Sequence, residues 1–329
     1  MKKKILVIQT AFTGDAILAT SLLEQLRTKF PNYDIDLLIR KGNEGLFNGH
    51  PFLRKLYVWE KKKAKLWNLF SLLLAIRKEQ YDHVINLQRF AGSGFLTAFS
   101  KGKETIGFDK NPLSSLFSKK IKHVIGDGRH EIARNAELIT HLAGNEISKP
   151  KLYPTDADRL AIKKYQQSNY SCMAPGSVWF TKTWPEDQWI ELATEITTRK
   201  STELIYLLGA PGEQPLCERI SKALGENRCI NLAGRLSLLE SAALMEKASM
   251  NYVNDSAPMH LASSMNAPVT AIYCSTIPAF GFGPLSTNSK TVETSQTLGC
   301  RPCGLHGHKG CPEGHFICAK SIKITDIIT

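Results

Sequence analysis

Short apolar runs alternate with longer amphipathic stretches along the chain. β-Branched apolar runs predict buried strands, and apolar residues recurring every three or four positions predict helices. In the first half the predicted strands are Lys4–Gln9, Asp34–Ile39, Lys55–Val58, His83–Leu87, Thr105–Gly107 and His123–Ile125. The predicted helices between them include Ile17–Phe30, Leu66–Glu79 and Arg129–Ala143. This alternation favours a mostly parallel sheet with helices on both faces.

A second series of the same kind follows the polar segment Asn145–Asp158, which carries two prolines and is interpreted as a linker. Its predicted strands are Tyr170–Ala174, Glu203–Leu208, Cys229–Asn231, Met250–Val253 and Val269–Tyr273. Its predicted helices are Pro185–Arg199, Gln214–Leu224, Leu238–Lys247 and Ala257–Met265. The pattern predicts an α/β fold of two doubly wound, Rossmann-like domains, residues 1–150 and 151–329. We expect them to face each other across a cleft that holds ligands at the strands' carboxyl ends.

Length and charge refine this picture. A chain of 329 residues exceeds the usual size of a single core. Residues 1–150 hold 25 Lys and Arg against 14 Asp and Glu, whereas residues 151–329 hold 17 against 16. The basic first domain is therefore expected to meet an anionic molecule: a nucleic acid, a membrane surface or an acidic acceptor. General solvation of the surface is the alternative.

Hydropathy argues against a membrane-spanning protein. The longest strongly apolar stretch, Leu66–Ile76, has eleven residues, about half of what a transmembrane helix needs. The chain opens on a predicted strand rather than on the apolar core of a signal peptide. We therefore expect a cytoplasmic protein.

The turn after the first strand carries Thr13, Gly14 and Asp15 but no phosphate-binding glycine series. A lone carboxylate at the carboxyl end of a strand is suited to accept a proton from a hydroxyl group. The alternative is that Asp15 only caps the following helix.

Two turns of the second half carry groups suited to a nucleotide. In "APGSVWFTKTWPEDQW" (174–189), Ser177, Thr181 and Lys182 supply donors for a phosphate near a helix start. In "YLLGAPGEQ" (206–214), Glu213 is placed to accept both hydroxyls of a ribose. Glu213 is equally explained as a first-turn residue favoured by the helix dipole.

A third turn, in "VNDSAPMHLASS" (253–264), begins a helix that Asp255 or Ser256 is expected to cap. We expect the amides of residues 257–259 to be free to bind an anion. The Asp255 carboxylate is assigned to hydroxyl groups or to orienting the loop. His260 either packs within the helix or contacts a ligand. Together the three turns predict a nucleotide-diphosphate site, with Asp15 on the opposite wall of the cleft.

Four cysteines crowd into "CRPCGLHGHKGCPEGHFIC": Cys300, Cys303, Cys311 and Cys318, with three histidines between them. This density predicts a small structural zinc site, although the second pair is too far apart for a standard ribbon. Disulfides and unligated thiols are the alternatives. The other four cysteines stand in apolar contexts typical of buried thiols.

The basic run Lys61–Lys65 precedes the apolar sequence LWNLFSLLLAIRK. A basic, aromatic helix of this kind can lie on an anionic membrane surface. We favour the alternative, a core helix that follows a solvated loop.

Five segments carry a resemblance to a known family: "TGDAILATSLLEQLR", "APGSVWFTKTWPEDQWIELA", "LGAPGEQ", "NLAGRLSLLE" and "NDSAPMHLA". In this order, over nearly the whole chain, they resemble the ADP-heptose:lipopolysaccharide heptosyltransferases of glycosyltransferase family 9. The resemblance implies a GT-B fold and an inverting transfer that needs no metal. It also implies that the first domain binds the acceptor and the second the ADP-sugar, and that the cysteine-rich tail is structural.

The resemblance assigns roles to individual residues. It implies that Asp15 is the base, beside the acceptor-side residues Thr13 and Gly14. It implies that Lys182 binds phosphate and Glu213 the ribose. The donor-binding residues are Ser177, Thr181, Lys182, Glu213, Asp255, Ser256, Ala257, Met259 and His260. Ala257 departs from the family, in which this position is often Gly, but alanine also keeps its amide.

These inferences predict a glycosyltransferase that moves a heptose or related sugar from an ADP-sugar to an acidic lipopolysaccharide core. The acceptor is expected at the inner membrane face, where the enzyme could associate peripherally, and no nucleic-acid partner is expected. Two alternatives remain: a nucleotide-sugar epimerase on the same fold, and a nucleic-acid-binding protein that uses the basic half.

Overall fold

The computed structural model describes residues 2–61, 65–225 and 227–328. Lys62 and Lys63 of the basic run lie outside the described residues. The chain divides into two units, Met1–Tyr153 and Pro154–Thr329, each with its own parallel sheet. The prediction of an α/β fold built from two doubly wound sheets is confirmed.

The first unit has a six-stranded sheet in the order β3-β2-β1-β4-β5-β6. Its strands are β1 (Lys4–Gln9), β2 (Asp34–Arg40), β3 (Leu53–Trp59), β4 (His83–Asn86), β5 (Glu104–Phe108) and β6 (Lys119–Ile121). Its helices are α1 (Thr13–Lys29), α2 (Lys65–Glu79), α3 (Ala91–Ala98), α4 (Glu131–Glu137) and α5 (Thr140–Ala143). Central strand β1 is buried from Ile5 to Gln9, as expected for a parallel sheet covered on both faces.

The second unit repeats this topology, with the order β12-β11-β10-β7-β8-β9. Its strands are β7 (Tyr170–Ala174), β8 (Leu204–Leu207), β9 (Cys229–Asn231), β10 (Asn251–Asn254), β11 (Val269–Tyr273) and β12 (Ser289–Glu293). Its helices are α6 (Asp156–Ile162), α7 (Glu186–Arg199), α8 (Gln214–Leu224), α9 (Leu238–Glu246), α10 (Ala257–Ser264), α11 (Ile317–Lys320) and α12 (Thr325–Ile328). Counted from its own first strand, each sheet has the order 3-2-1-4-5-6.

Several predicted elements differ from the observed ones. The last strand of the first sheet is β6, not His123–Ile125, because His123 instead donates its N–H to the Asp109 side chain, 2.9 Å away. The predicted helix over Arg129–Ala143 is divided into α4 and α5. Helix α6 begins inside the predicted linker, where Thr155 and Asp158 cap each other's backbone N–H groups. Helix α3 and strand β12 were not predicted.

None of the described helices combines the length and apolar character that crossing a bilayer demands.

Candidate functional site

Each sheet changes the direction of its strand order between its first and fourth strands, β1 and β4 in one unit and β7 and β10 in the other. In doubly wound folds, ligands bind outside the carboxyl ends of the strands at such a switch point. The loops after β1, β7 and β10 carry most of the residues that the sequence singled out.

Lys182 ends a short 3-10 turn after β7 and forms an ion pair with Asp255, which follows β10. Its Nζ lies 2.6 Å from Asp255 Oδ2, and the two side chains are 15% and 7% exposed. The Thr276 hydroxyl donates to the same Asp255 oxygen at 2.6 Å. The carboxylate therefore fixes the ammonium group at the switch point.

Asn254, which the sequence analysis did not single out, ties the loop after β7 to the end of β10. Its Nδ2 donates to the carbonyls of Pro175 at 2.8 Å and Gly176 at 3.3 Å. Its Oδ1 accepts from the Trp184 N–H at 3.1 Å, and the side chain is fully buried. This amide therefore holds both ends of the loop that carries Lys182. In the sequence, only its position directly before Asp255 indicated a place in the site.

The Glu213 carboxyl lies against the backbone of two glycines that follow neighbouring strands. A Cβ on Gly176 would overlap the Glu213 carboxyl, and one on Gly209 would lie 2.8 Å from Glu213 Oε2. The same oxygen accepts from the Ala210 N–H at 2.7 Å. Burial raises the pKa of Glu213, and this hydrogen bond opposes the rise. Glu213 thus caps its turn through the Ala210 N–H, and it also places a carboxylate at the carboxyl ends of β7 and β8.

The N-terminus of α10 offers fewer free amides than expected. Ser256 occupies the cap position, but its hydroxyl donates to the Asn254 carbonyl at 3.4 Å and makes no capping bond to the helix. Pro258 has no N–H, and Met259 N donates to the Ser256 carbonyl at 3.1 Å. The expectation of three free amides at 257–259 was therefore wrong. Of the three, only the Ala257 N–H has no acceptor among the described residues.

Met259 and His260 both lie inside the unit. Met259 is fully buried, and its sulfur accepts from the Tyr273 hydroxyl at 3.4 Å. His260 is 5% exposed. Their positions agree with packing of α10 against its sheet.

Ser177 and Thr181 differ in what their hydroxyls engage. Ser177 is half-buried, and its Oγ accepts weakly from the Trp179 N–H at 3.4 Å. The Thr181 hydroxyl is buried and accepts from the His308 N–H at 2.7 Å and from the Ser275 hydroxyl at 3.0 Å. Thr181 therefore anchors the cysteine-rich tail beside Lys182.

The cysteine-rich tail does not gather a metal site among the described residues. No group of three or more Cys, His, Asp or Glu side chains is arranged to hold an ion there. Cys303 Sγ donates to the Cys300 carbonyl at 3.1 Å, and Cys318 is buried in the core of the unit. The predicted zinc site of Cys300, Cys303, Cys311 and Cys318 is therefore not supported among the described residues.

The same tail packs on the loops that carry the site. Trp184 Nε1 donates to the Ala319 carbonyl at 3.2 Å, and Cys303 N donates to the Ser275 carbonyl at 2.9 Å. The Arg301 guanidinium donates to the Cys274 carbonyl at 2.8 Å and to the Thr276 carbonyl at 2.7 Å. The tail thus braces the backbone next to both Lys182 and Asp255.

In the first unit, Asp15 stands in the first turn of α1. The helix begins at Thr13 with Phe12 as its N-cap, so Thr13, Gly14 and Asp15 lie in its first turn rather than in a separate loop. Asp15 is consequently not the cap residue. The Thr13 hydroxyl donates to Asn43 Oδ1 at 3.0 Å, which anchors this turn to the end of β2.

Two residues of α4 that the sequence analysis missed surround Asp15 with charge. Glu131 is buried and pairs with Arg134, whose NH2 lies 2.8 Å from Glu131 Oε2. Burial and the nearby Asp15 carboxylate raise the pKa of Glu131, whereas the Arg134 and Arg89 guanidinium groups oppose the rise. The buried Glu131 carboxyl therefore lies near the Asp15 carboxylate and is countered by the guanidinium groups of Arg134 and Arg89.

A basic cavity of about 380 Å³ lies in the first unit, lined by Arg89, Phe90, Lys110, His123 and Ile125. Burial, together with the charges of Arg89 and Arg134, lowers the pKa of His123 to about 4. His123 is thus neutral near pH 7, and the positive charge of the cavity comes from Arg89 and Lys110. This cavity suits an anionic group.

The family model described as "Glycosyltransferase family 9 (heptosyltransferase)" matches residues 69–315. A curated relative, lipooligosaccharide heptosyltransferase 2 of Haemophilus influenzae, is 27% identical over 307 residues, covering 88% of each chain.

Two solved structures share the fold. E. coli ADP-heptose lps heptosyltransferase II aligns with a TM-score of 0.78 and 21% identity, covering 90% of this chain and 92% of its own. E. coli heptosyltransferase WaaC with ADP-2-deoxy-2-fluoro heptose aligns with a TM-score of 0.70 and 21% identity, covering 88% and 93%. The two doubly wound units therefore match the GT-B architecture of these structures.

Proposed function

The chain belongs to glycosyltransferase family 9, the heptosyltransferases, and on this premise we propose that it transfers a heptose from an ADP-sugar to an acidic lipopolysaccharide core. The family makes it an enzyme of the transferase class, which favours sugar transfer over nucleotide-sugar epimerisation and over nucleic-acid binding. The similar structure titled with an ADP-heptose analogue supports this donor.

The donor would bind at the switch point of the second unit. The observation that carries this proposal is the buried Lys182 ammonium held by Asp255 at the carboxyl end of the sheet. The ammonium group and the Ala257 amide, two residues after Asp255, can both donate to the phosphate oxygens of a diphosphate. Glu213, at the neighbouring strand end, would accept the ribose hydroxyls.

The acceptor would bind in the first unit, where Asp15 serves as general base. The acceptor hydroxyl loses its proton to the Asp15 carboxylate as its oxygen attacks the anomeric carbon of the donor. The bond from that carbon to the diphosphate breaks, and ADP leaves with the electron pair. A single displacement of this kind inverts the anomeric configuration.

Charge on the leaving diphosphate would be neutralised by Lys182 and the Ala257 amide, so the proposed reaction needs no metal ion. The basic cavity with Arg89 and Lys110 would bind an acidic group of the acceptor. Because such an acceptor is a glycolipid, we place the enzyme in the cytoplasm, in peripheral contact with the inner membrane face.

Calorimetry tests the donor site first. ADP and ADP-heptose should bind more tightly than UDP or GDP, and Lys182→Ala should weaken ADP binding by at least about tenfold. Lys200→Ala, which removes an exposed lysine of the same unit, should leave the affinity unchanged. If no nucleotide binds, the transferase proposal fails; if UDP or GDP binds best, the fold assignment stands but the donor is wrong.

Turnover then tests the base. Asp15→Asn should bind ADP normally and lose at least about a thousandfold in transfer to a deacylated core acceptor. Asp156→Asn is a matched control, since Asp156 is also an acidic residue in the first turn of a helix, and it should transfer at the normal rate. A sugar-nucleotide product formed without glycan transfer would instead identify an epimerase.

A further inference from the structure

Helix α2 exposes a row of large apolar side chains. Leu66, Trp67, Phe70 and Leu74 are 67%, 79%, 51% and 57% exposed. Their spacing of three and four residues places them on one face of the helix. The opposite face carries Leu73 and Ile76, which are buried in the core of the first unit. The predicted core helix therefore accounts for only one side of α2.

The exposed face borders a surface groove. The groove has a volume of about 540 Å³, and its lining includes Trp67, Phe70 and Leu74 together with the edge-strand residue Lys55 and Lys78. Phe70 also packs edge-on against Phe95 of α3, with ring centroids 5.7 Å apart. A contiguous exposed apolar surface usually marks an interaction site, whereas single exposed apolar residues are common and need no explanation.

The sequence around this face is strongly basic. Residues 54–79 contain eight Lys and Arg but only two acidic residues, Glu60 and Glu79. Both acids are paired: Glu60 lies 2.9 Å from Lys41, and Glu79 lies 2.9 Å from Lys4, 2.7 Å from Arg54 and 3.2 Å from Lys55. Among the described residues, the groove lining carries Lys55 and Lys78 against one acid, Glu79, so the border of the apolar face is net positive.

We propose that this surface, defined by Leu66, Trp67, Phe70 and Leu74 with Lys55 and Lys78, docks on an anionic lipid bilayer. The inference deepens the proposed function and rests on it for its purpose, because a glycolipid acceptor is presented at such a bilayer. Tryptophan and leucine on one helix face enter the boundary between headgroups and acyl chains, and lysines at its edge attract anionic headgroups. A protein that covers the same apolar side chains, such as a second copy of the chain, is the other occupant that the experiments below distinguish.

Vesicle binding tests this surface without any sugar or acceptor. The full-length enzyme should sediment with vesicles of phosphatidylglycerol and phosphatidylcholine, and much less with phosphatidylcholine alone. Trp67→Ser/Leu74→Ser should weaken this binding by at least about tenfold through the loss of apolar burial. Lys78→Glu should weaken it about tenfold by charge reversal, and high salt should weaken it in the wild type.

Control variants separate docking from folding. Leu160 of α6 is a 71% exposed leucine in the other unit, so Leu160→Ser should bind vesicles like the wild type. All variants should keep the wild-type melting temperature and the wild-type rate on a deacylated, soluble acceptor, because the altered side chains are exposed. In Trp67→Ser/Leu74→Ser and in Lys78→Glu, only the rate of transfer to an acceptor embedded in vesicles should fall.

The outcomes are distinguishable. Wild-type vesicle binding in Trp67→Ser/Leu74→Ser would overturn the docking surface, whatever the enzyme transfers. A wild-type dimer that this variant dissociates, with no vesicle binding, would assign the face to a second copy of the chain and also overturn the proposal. Absence of transfer to the soluble acceptor, with vesicle binding intact, would refute the proposed function alone.

Discussion

The contribution of the Lys182–Asp255 ion pair to the free energy of unfolding can be measured by a double-mutant cycle. Its Nζ to Oδ2 distance is 2.6 Å and its side chains are 15% and 7% exposed. Removing one partner of a buried pair leaves an uncompensated charge, at a cost of about 3 kcal/mol. We expect this loss of unfolding free energy for Lys182→Met and for Asp255→Asn. The double variant buries no charge, so its loss should not exceed that of either single variant, which gives a coupling energy of at least about 3 kcal/mol.

Urea unfolding at neutral pH provides the assay, followed by the fluorescence of Trp184 and Trp189, both in the core of the second unit. Arg219 and Glu186 provide a matched control in that unit, since they are 2.8 Å apart but 57% and 34% exposed. Their coupling should stay below about 1 kcal/mol. Additivity of Lys182→Met and Asp255→Asn within about 0.5 kcal/mol would refute the buried pair.

Three further predictions follow from the second unit. Gly176→Ala should weaken ADP binding at least about tenfold, because the added Cβ would overlap the Glu213 carboxyl. Gly212→Ala should leave ADP binding unchanged, because its added Cβ would meet nothing within 4 Å. Equal losses of ADP affinity in the two variants, measured by calorimetry, would contradict this prediction. Burial raises the pKa of Glu213, so ionising this carboxyl costs folding free energy. Glu213→Gln should therefore stabilise the enzyme at pH values above the raised pKa, and this gain should vanish below the ordinary value of 4.5. A gain that does not change with pH in urea titrations would argue against this prediction. Thr181→Val should lower the unfolding free energy by about 1–2 kcal/mol and speed proteolysis of the tail, an effect that Thr183→Val should not share.

Burial explains why most strands could be predicted from the sequence and two elements could not. Central strands such as β1 are apolar at almost every position because both of their faces are covered. Edge strand β12 buries only Val292, so its sequence SKTVE has no strand pattern. Helix α3 contains Gly92 and Gly94, which oppose helix formation locally. Both are required by packing, since a Cβ would overlap Trp59 or Asn111.

Some residues of the candidate site could likewise be predicted from the sequence, and others could not. Lys182, Glu213 and Asp255 could be singled out because each follows a predicted strand, and the carboxyl ends of parallel strands define the ligand-binding edge. The residues that hold these three side chains could not be predicted, because their contacts join distant parts of the chain. Thr276 meets Asp255 across 21 positions, and Thr181 meets His308 across 127. The tail's cysteines predicted a metal, whereas its backbone and Arg301 make the contacts that matter to the site.

The two units show how one topology can present opposite charges. Each places a loop after its first strand at the switch point of a 3-2-1-4-5-6 sheet. In the first unit that loop leads directly into α1, so the carboxylate of Asp15 stands in a first turn that favours negative charge. In the second, a longer loop and a 3-10 turn precede α7, and Lys182 lies off that helix, paired with Asp255. The length of the strand-to-helix connection therefore determines whether the side chain lies in the first turn of the helix, as Asp15 does, or before the helix, as Lys182 does.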